Sequence, residues 1–187
     1  MEKNVLDGLW EKLKGQSYLI LRNYETMLND ICEGGDIDIL CESKEEIVQL
    51  LDLKPTRDGI NVYNYQLSID TQKILVDIRE VGDKYYDKNW EKNMLKNRII
   101  HEDFFVLQEE DYIYSLLYHA LIHKQYIADK YKKLFIEIFY TDSEIELLRI
   151  LKRYMEKKNY KVVLPLDEWV NLNKKNLMLL TENEAKE

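Results

Sequence analysis

The chain has 187 residues, of which 45% are apolar and 33% charged, and its formal net charge is −8. This length fits one domain, or one domain with a small helical appendage, and suffices to bury a hydrophobic core. Because sequence-independent nucleic-acid binding depends on excess Lys and Arg, the acidic balance argues against that function, although a local basic surface stays open. Apolar runs are too short for a membrane span and the N-terminus lacks the apolar segment of a signal peptide, so we expect neither.

The sequence contains two cysteines, Cys32 and Cys41. Two thiols in a chain of this length argue against a disulfide framework and favour a reducing, cytoplasmic setting. They are too few to form a zinc site by themselves. We therefore expect both to be small buried side chains beside a strand.

Hydrophobic periodicity and turn residues predict an α/β segment followed by a helical one. In chain order the pattern first predicts a helix over 2–14 that stops at Gly15, a strand over 17–23, and a turn or short helix over 24–31. It then predicts a strand over 36–42 and a helix capped by Ser43 and Glu46 and ended by Pro55. Strands over 60–70 and 73–80 follow, joined by a hairpin at 71–73, and after them come a helical segment over 83–99 and a short strand over 104–107. From Asp111 onward the apolar spacing is helical.

This order predicts an α+β fold. We expect a small mixed β-sheet with flanking helices over residues 1–107, followed by a helical C-terminal region over 108–187. No linker-like composition separates the two regions, so we expect them to pack on each other.

The segment GGDIDIL (34–40) combines glycines, carboxylates and strand-like alternation. Residues two apart on a strand face the same side, so Asp36 and Asp38 point together. A third carboxylate, Asp77, lies in the apolar segment ILVDI (74–78). An ionised carboxylate among apolar residues costs several kcal/mol unless it is paired or binds a metal. A polar turn followed by an exposed strand face would also explain Asp36, but it does not explain Asp77.

Three carboxylates converging from neighbouring strands would repel one another. A hard, oxygen-binding cation such as Mg²⁺ or Mn²⁺ relieves that repulsion. Two such ions about 3.5–4 Å apart can activate an attacking hydroxyl and stabilise the leaving phosphate oxygens. Gly34 and Gly35 would then let the backbone approach a phosphate and offer N–H groups to it.

These motifs resemble the nucleotidyltransferase superfamily, whose fold is shared by polymerase β and the aminoglycoside nucleotidyltransferases. Its members carry Asp-x-Asp on one strand and a third Asp on a later strand, as GGDIDIL and ILVDI do here over roughly residues 17–80. The resemblance implies metal ligation and catalysis by Asp36, Asp38 and Asp77. It also implies Mg²⁺ or Mn²⁺ as cofactor and a nucleoside triphosphate as donor.

The sequence departs from the family at the end of the first strand. Members commonly place Gly-Ser there to hold the triphosphate, whereas this chain has Arg22 and Asn23 in LILRNYE. Arg22 can bind phosphate through its bidentate guanidinium. The resemblance therefore implies transfer of a nucleotidyl or phosphoryl group to a hydroxyl, with a sugar or polysaccharide precursor as acceptor. The alternative is a catalytically silent, antitoxin-like module that binds a nucleotide or a partner protein.

Further candidates lie on predicted helices. Lys88 and Lys92, with Lys96, would form one row along a helix. That row either faces phosphate or belongs to an ordinary solvated helix face. His119 and His123 have the i, i+4 spacing of zinc-binding helices, but no Glu at position 120 supplies a general base and no nearby ligand completes a set. We predict that the two histidines, with Tyr85, line the cleft between the two regions and contact substrate, or else serve as structural side chains. Each of the three tryptophans, Trp10, Trp90 and Trp169, could stack on a base or sugar, with core packing as the default.

Overall fold

The computed structural model describes residues 4–59, 62–69 and 72–181, and within them the chain forms an α+β fold, as the sequence predicts. The strands are β1 (Tyr18–Ile20), β2 (Asp36–Cys41), β3 (Lys54–Pro55), β4 (Asn64–Ile69), β5 (Gln72–Glu80), β6 (Ile99–His101) and β7 (Phe104–Val106). The helices are α1 (Asn4–Leu13), α2 (Met27–Cys32), α3 (Lys44–Leu50), α4 (Lys88–Lys96), α5 (Glu109–Ile122), α6 (Asp129–Phe139), α7 (Glu144–Lys158) and α8 (Lys174–Thr181).

The strands form one mixed sheet in the order β3-β4-β5-β2-β1-β7-β6. β2 runs parallel to β5 and β1 runs parallel to β7, whereas the other neighbouring strands are antiparallel. The β2–β5 register places Asp38 directly opposite Asp77. The two carboxylates predicted from separate segments therefore lie on adjacent central strands.

The central strands alternate apolar and polar side chains, so the sheet has two unlike faces. We call the first the apolar face; its residues are Ile37, Ile39, Ile74, Val76 and Ile78, which are buried with Leu9 and Leu13 of α1 and Ile47 of α3. We call the second the polar face; it carries Asp36, Asp38, Asp77 and Arg79. Strand periodicity of two places these two sets on opposite sides.

The polar face is covered by helices from the second half of the chain. Leu19 and Leu40 of the sheet share a hydrophobic cluster with Trp90 of α4, Leu117 of α5 and Leu151 of α7. Polar groups inside this cluster are paired: the Trp90 Nε1–H and the Tyr154 hydroxyl both donate to Asp111 Oδ1, at 2.9 and 3.1 Å. The C-terminal helices therefore cover the polar face beside the carboxylates and leave a cavity above them.

Local sequence signals account for most helix ends. Gly15 follows α1 with a φ of +88°, a conformation that glycine adopts without steric cost. The Ser43 hydroxyl accepts the Glu46 backbone N–H at the start of α3, as the predicted cap requires. The predicted 83–99 helix is shorter, because Asp87 accepts the N–H groups of Asn89 and Trp90 and so fixes the start of α4 at Lys88.

Some elements were not predicted or differ from prediction. β6 pairs with β7 as an edge hairpin that the sequence pattern did not indicate, because its residues Ile99 and Ile100 are exposed and carry no alternation. Pro55 does not end a helix but lies in the edge strand β3, a position that tolerates proline. β4 and β5 pair with Ile69 opposite Gln72, and the predicted turn residue Thr71 lies outside the described residues.

The prediction for the cysteines is half right. Cys41 is buried in β2, whereas Cys32 is exposed in the last turn of the short helix α2. Among the described helices, none combines the length and apolarity needed to cross a bilayer.

Candidate active site

The three predicted carboxylates meet at one point of the polar face. Asp36, Asp38 and Asp77 each place an oxygen so that all three oxygens lie within 4.8 Å of one another. Asp36 is exposed, whereas Asp38 and Asp77 are only 4% and 7% exposed. Their shared strand face and the β2–β5 register produce this convergence, and the spacing suits a divalent cation bound by oxygen ligands.

Two buried arginines lie against these carboxylates. Arg22, just past the end of β1, donates through Nη2 to Asp38 Oδ1 and, at 3.3 Å, to the Tyr85 hydroxyl. Arg79, two residues after Asp77 on the same face, donates to Asp77 Oδ2 at 2.8 Å. The two positive charges of the arginines offset part of the repulsion among the three carboxylates. From the sequence, relief of that repulsion was expected from a metal ion alone.

Some polar atoms in this cluster have no hydrogen-bond partner among the described residues. Asp77 Oδ1 and Arg22 Nη1 are both buried and unpaired there. An unpaired buried polar atom costs free energy, roughly 1–3 kcal/mol and more for a charged group. A free carboxylate oxygen fits a cation and a free guanidinium N–H fits an anion, so the residues present suit a metal ion and a phosphate together.

Burial dominates the electrostatics of the site. It raises the pKa of Asp38 and of Asp77 above the ordinary value, against the lowering effect of Arg22 and Arg79. Desolvation penalises the charged form of each carboxyl group. A bound divalent cation would oppose this effect, since it favours the deprotonated ligands.

Tyr85, His119 and His123 line the same cavity and are buried beside Arg22. The Tyr85 hydroxyl lies 2.9 Å from His119 Nδ1, and the Tyr85 ring centroid lies 4.0 Å from that of His123. Burial, reinforced by the charge of Arg22, lowers the pKa of both histidines well below 6.5, so both imidazoles are neutral at pH 7. All three residues therefore lie at the cavity above the carboxylates, and their contact with substrate stays a prediction.

A loop between α7 and α8 closes one side of the cluster. Its buried Asp167 accepts from Arg79 at 3.1 Å and from Arg57 at 3.5 Å. Arg79 therefore bridges Asp77 and Asp167, which lie 90 positions apart in the sequence. The Arg79 guanidinium also lies 4.2 Å from the Tyr85 ring centroid, so the bridge is packed as well as paired.

The cavity above the carboxylates has a volume of about 440 Å³. Its cationic lining includes Lys124 and Lys130 in addition to the two arginines. Asn23 lies beside them, since its Oδ1 accepts from Lys130 Nζ at 3.1 Å. Asn23 has a φ of +56°, a left-handed conformation that Asn adopts more readily than most residues. The backbone therefore turns sharply just after β1, directly beside Arg22.

The two glycines have a structural role at the end of α2. Gly34 has a φ of +86°, and a Cβ on Gly35 would lie 2.7 Å from the Asp30 carbonyl oxygen. The Gly34 N–H donates to Ile31 and the Gly35 N–H donates to Asp30, both in the backbone. Because these N–H groups are already hydrogen bonded, the phosphate contact predicted for Gly34 and Gly35 receives no support from the geometry.

The lysine row predicted to face phosphate lies elsewhere. Lys88 and Lys92 are exposed on α4 and do not line the cavity above the carboxylates. The buried stripe of α4 consists instead of Trp90, Glu91, Met94 and Leu95. These lysines therefore fit the interpretation of a solvated helix face. Lys124 and Lys130 line the cavity in their place.

The sequence patterns did not indicate that four further residues line the cavity: Arg79, Lys124, Lys130 and Asp167. A signal for Arg79 was present, because a residue two positions after Asp77 on a strand shares its face. The other three come from loops and helix starts of the C-terminal region, and local patterns do not indicate which loop reaches the sheet. Of the tryptophans, Trp10 and Trp90 are buried as expected, but Trp169 is 72% exposed at the cavity.

Comparison with known proteins supports the fold only. No family model matches the chain, and a search of curated proteins finds no match. Among solved structures, one from Helicobacter pylori, named as a candidate nucleotidyltransferase, aligns with a TM-score of 0.50 at 11% identity over 98% of this chain and 93% of that chain. A second, JHP933 from Helicobacter pylori, aligns with a TM-score of 0.48 at 11% identity over 98% and 90% of the two chains. The first likeness indicates a nucleotidyltransferase-like fold.

Proposed function

We propose that this protein is a divalent-metal-dependent transferase that moves a nucleotidyl or phosphoryl group onto a hydroxyl acceptor. The observation that carries the proposal is the convergence of Asp36, Asp38 and Asp77, with one buried oxygen of Asp77 unpaired among the described residues. A stabilising role alone does not account for this arrangement, because burying carboxylates together is unfavourable. The resemblance of the two Asp motifs to the nucleotidyltransferase superfamily and the likeness of the fold support the same assignment.

Asp36, Asp38 and Asp77 are the residues that would hold Mg²⁺ or Mn²⁺, since carboxylate oxygens are the ligands these ions prefer. When bound, the metal would supply charge neutralisation at phosphorus and a lower pKa for the attacking hydroxyl. Arg22 pairs with Asp38. Its Nη1, which has no partner in the described part of the chain, makes it a phosphate ligand for the donor, and Lys130 and Asn23 line the same cavity.

The proposed reaction is an in-line displacement at phosphorus. The acceptor oxygen forms a bond to the α-phosphorus of a nucleoside triphosphate, and the bond from that phosphorus to the pyrophosphate oxygen breaks. Pyrophosphate leaves with the bonding electron pair, and the hydroxyl proton passes to Asp77. A sugar or polysaccharide precursor is the acceptor class we propose.

Titration calorimetry with Mn²⁺, in the presence of a nonhydrolysable nucleoside triphosphate, tests the proposal. We expect Mn²⁺ binding in the wild type and its loss in Asp38→Asn and Asp77→Asn, with no change in the control Asp142→Asn, an exposed carboxylate between α6 and α7. Circular dichroism checks that each variant is folded. Identical Mn²⁺ binding in the wild type and in folded Asp38→Asn would refute the metal site.

The same titration separates the transferase from a silent binding module. Arg22 and Arg79 already pair with two of the three carboxylates, so a nucleotide could be held without a metal. Nucleotide binding of equal strength with Mn²⁺ and with a chelator, together with no turnover in Mn²⁺, would favour the silent module over the transferase.

A further inference from the structure

The loop between α7 and α8 reaches the proposed metal site and is firmly anchored there. The Leu166 N–H donates to the Asp83 carbonyl at 3.0 Å, and the Asp167 carboxylate is held by Arg79 and Arg57. The Trp169 N–H in turn donates to Asp167 Oδ1 at 3.0 Å. Asp167 thus fixes the position of Trp169 relative to the carboxylate cluster.

Trp169 is placed unlike the other tryptophans. It is 72% exposed although it lines the cavity, whereas Trp10 and Trp90 are 5% and 0% exposed. The Arg57 guanidinium lies 4.5 Å from the Trp169 ring centroid and covers part of the indole. A second ring, Tyr126 in the α5–α6 connection, is 77% exposed and lines the same cavity. Two exposed aromatic side chains at the mouth of a cavity form a surface on which a planar ligand can stack.

The cavity lining indicates what kind of ligand fits. It combines the exposed rings of Tyr126 and Trp169 with the cations Arg22, Lys124 and Lys130. A ligand complementary to this lining has a flat aromatic group and an anionic group. A nucleoside triphosphate has this chemistry, whereas a simple sugar phosphate lacks the aromatic face.

We infer that Trp169, with Tyr126, forms the stacking surface for the base of the donor nucleotide, whose phosphates lie toward Arg22 and the carboxylates. The inference rests on the proposed function and names the subsite for the base. Stacking depends on the π-face that every base has, so all bases bind. Purines bind more tightly than pyrimidines, because their larger rings overlap more of the indole.

Binding of nonhydrolysable nucleoside triphosphates and of inorganic tripolyphosphate, both with Mn²⁺, tests this inference. We expect Trp169→Ala to weaken nucleotide binding by about 5- to 100-fold, the range typical of one base–aromatic stack. Tripolyphosphate affinity stays unchanged, because that ligand has no base. Trp169→Phe restores most of the lost affinity, and Ile145→Ala, an exposed apolar residue on α7, serves as the matched control.

Intrinsic fluorescence provides a second readout. Because Trp10 and Trp90 are buried, we expect nucleotide to quench Trp169, and the quenching to disappear in Trp169→Phe while binding persists. Equal nucleotide affinity in the wild type and Trp169→Ala would overturn the base subsite and leave the transferase proposal standing. Equal weakening of nucleotide and tripolyphosphate would overturn the subsite too, since Trp169 would then only support the loop. A wild type that binds tripolyphosphate but no nucleotide would overturn the proposed function itself.

Discussion

The two faces of the central sheet are built from the same strands but have opposite chemistry. On the apolar face, Ile37, Ile39 and Ile78 are at most 1% exposed and pack on α1 and α3. On the polar face, Asp38 and Asp77 are nearly as buried but require Arg22 and Arg79 as partners. The apolar face gains free energy from burial, at about 25 cal/mol per Å², whereas burial of charge costs free energy unless it is compensated.

This difference between the two faces supports the proposal that the polar face binds a ligand. Hydrophobic residues of similar volume would stabilise such a position as well as or better than a buried ion pair. The chain instead keeps charged side chains beneath a cavity and leaves Asp77 Oδ1 and Arg22 Nη1 unpaired within the described part of the molecule.

Loss of Arg79 has the largest expected effect on stability. Arg79→Met leaves the buried carboxylates of Asp77 and Asp167 without their shared partner, so we expect the free energy of unfolding to fall by about 3–5 kcal/mol. Urea denaturation at pH 7 measures the loss. The exposed Arg149, paired with Glu146 on α7, is the control, and Arg149→Met should change stability by less than about 1 kcal/mol. Equal effects of the two substitutions would contradict the importance of the buried network.

A cavity in the apolar face is expected to lower stability without affecting ligand binding. Ile78 is adjacent in sequence to Asp77 but faces the opposite side, so Ile78→Ala should cost about 2–5 kcal/mol. Ile78→Val, which removes one methylene, should cost about 0.5–1.5 kcal/mol. Mn²⁺ affinity, measured where both variants are folded, should stay at the wild-type value. Selective loss of Mn²⁺ binding in folded Ile78→Val would show that the two faces are not independent.

Substitution of Asp36 should change ligand binding without changing stability, the reverse of what we expect for Ile78. The reason is that Asp36 is the exposed member of the carboxylate cluster. Asp36→Asn should leave the free energy of unfolding within about 0.5 kcal/mol of the wild type, as is usual for surface sites. Its Mn²⁺ affinity should fall by at least the roughly 10- to 100-fold that loss of even an indirect metal partner causes. Calorimetry and thermal unfolding of the same sample check both statements. Unchanged Mn²⁺ affinity would exclude Asp36 as a ligand.

Part of the pH dependence of stability should also originate beside the polar face, from Glu91 of α4. Burial raises the pKa of Glu91 from an ordinary 4.5 to about 8. The N–H groups of Gly82 and Tyr86, which donate to its carboxylate, lower the pKa but do not cancel the effect of burial. Between these two values the folded state binds more protons than the unfolded state, so stability falls as pH rises from about 4.5 to about 8. The slope is at most about 1.4 kcal/mol per pH unit for one group.

Urea denaturation between pH 5 and 8.5 measures this slope. Glu91→Gln should flatten it, since the amide does not titrate. The exposed Glu146 serves as the control, and Glu146→Gln should leave the slope unchanged. An unchanged slope in Glu91→Gln would assign the pH dependence to other groups.

Much of the carboxylate cluster was predictable because its signals are local. Alternation in GGDIDIL and ILVDI predicted that Asp36 and Asp38 share a face and that Asp77 interrupts an apolar strand, and the structure places their oxygens together. The phosphate-contacting residues were less predictable. Gly34 and Gly35 matched a phosphate-binding pattern, yet their N–H groups are used to end α2, a role that the same residues serve equally well. The spacing of Lys88 and Lys92 described a helix correctly but did not indicate which side of it meets the cavity.

The sequence by itself determined the strand periodicity, the helix cap at Ser43, and the side of each strand on which a carboxylate lies, because these depend on residues at most four positions apart. Tertiary structure alone decided the β2–β5 register that sets Asp38 opposite Asp77, and the approach of Asp167 and Trp169 to Arg79 and Arg57. Those contacts join residues that are 39 to 112 positions apart. The contacts of Asp167 and Trp169 form only when the packing of the C-terminal helices on the polar face brings their loop to the sheet.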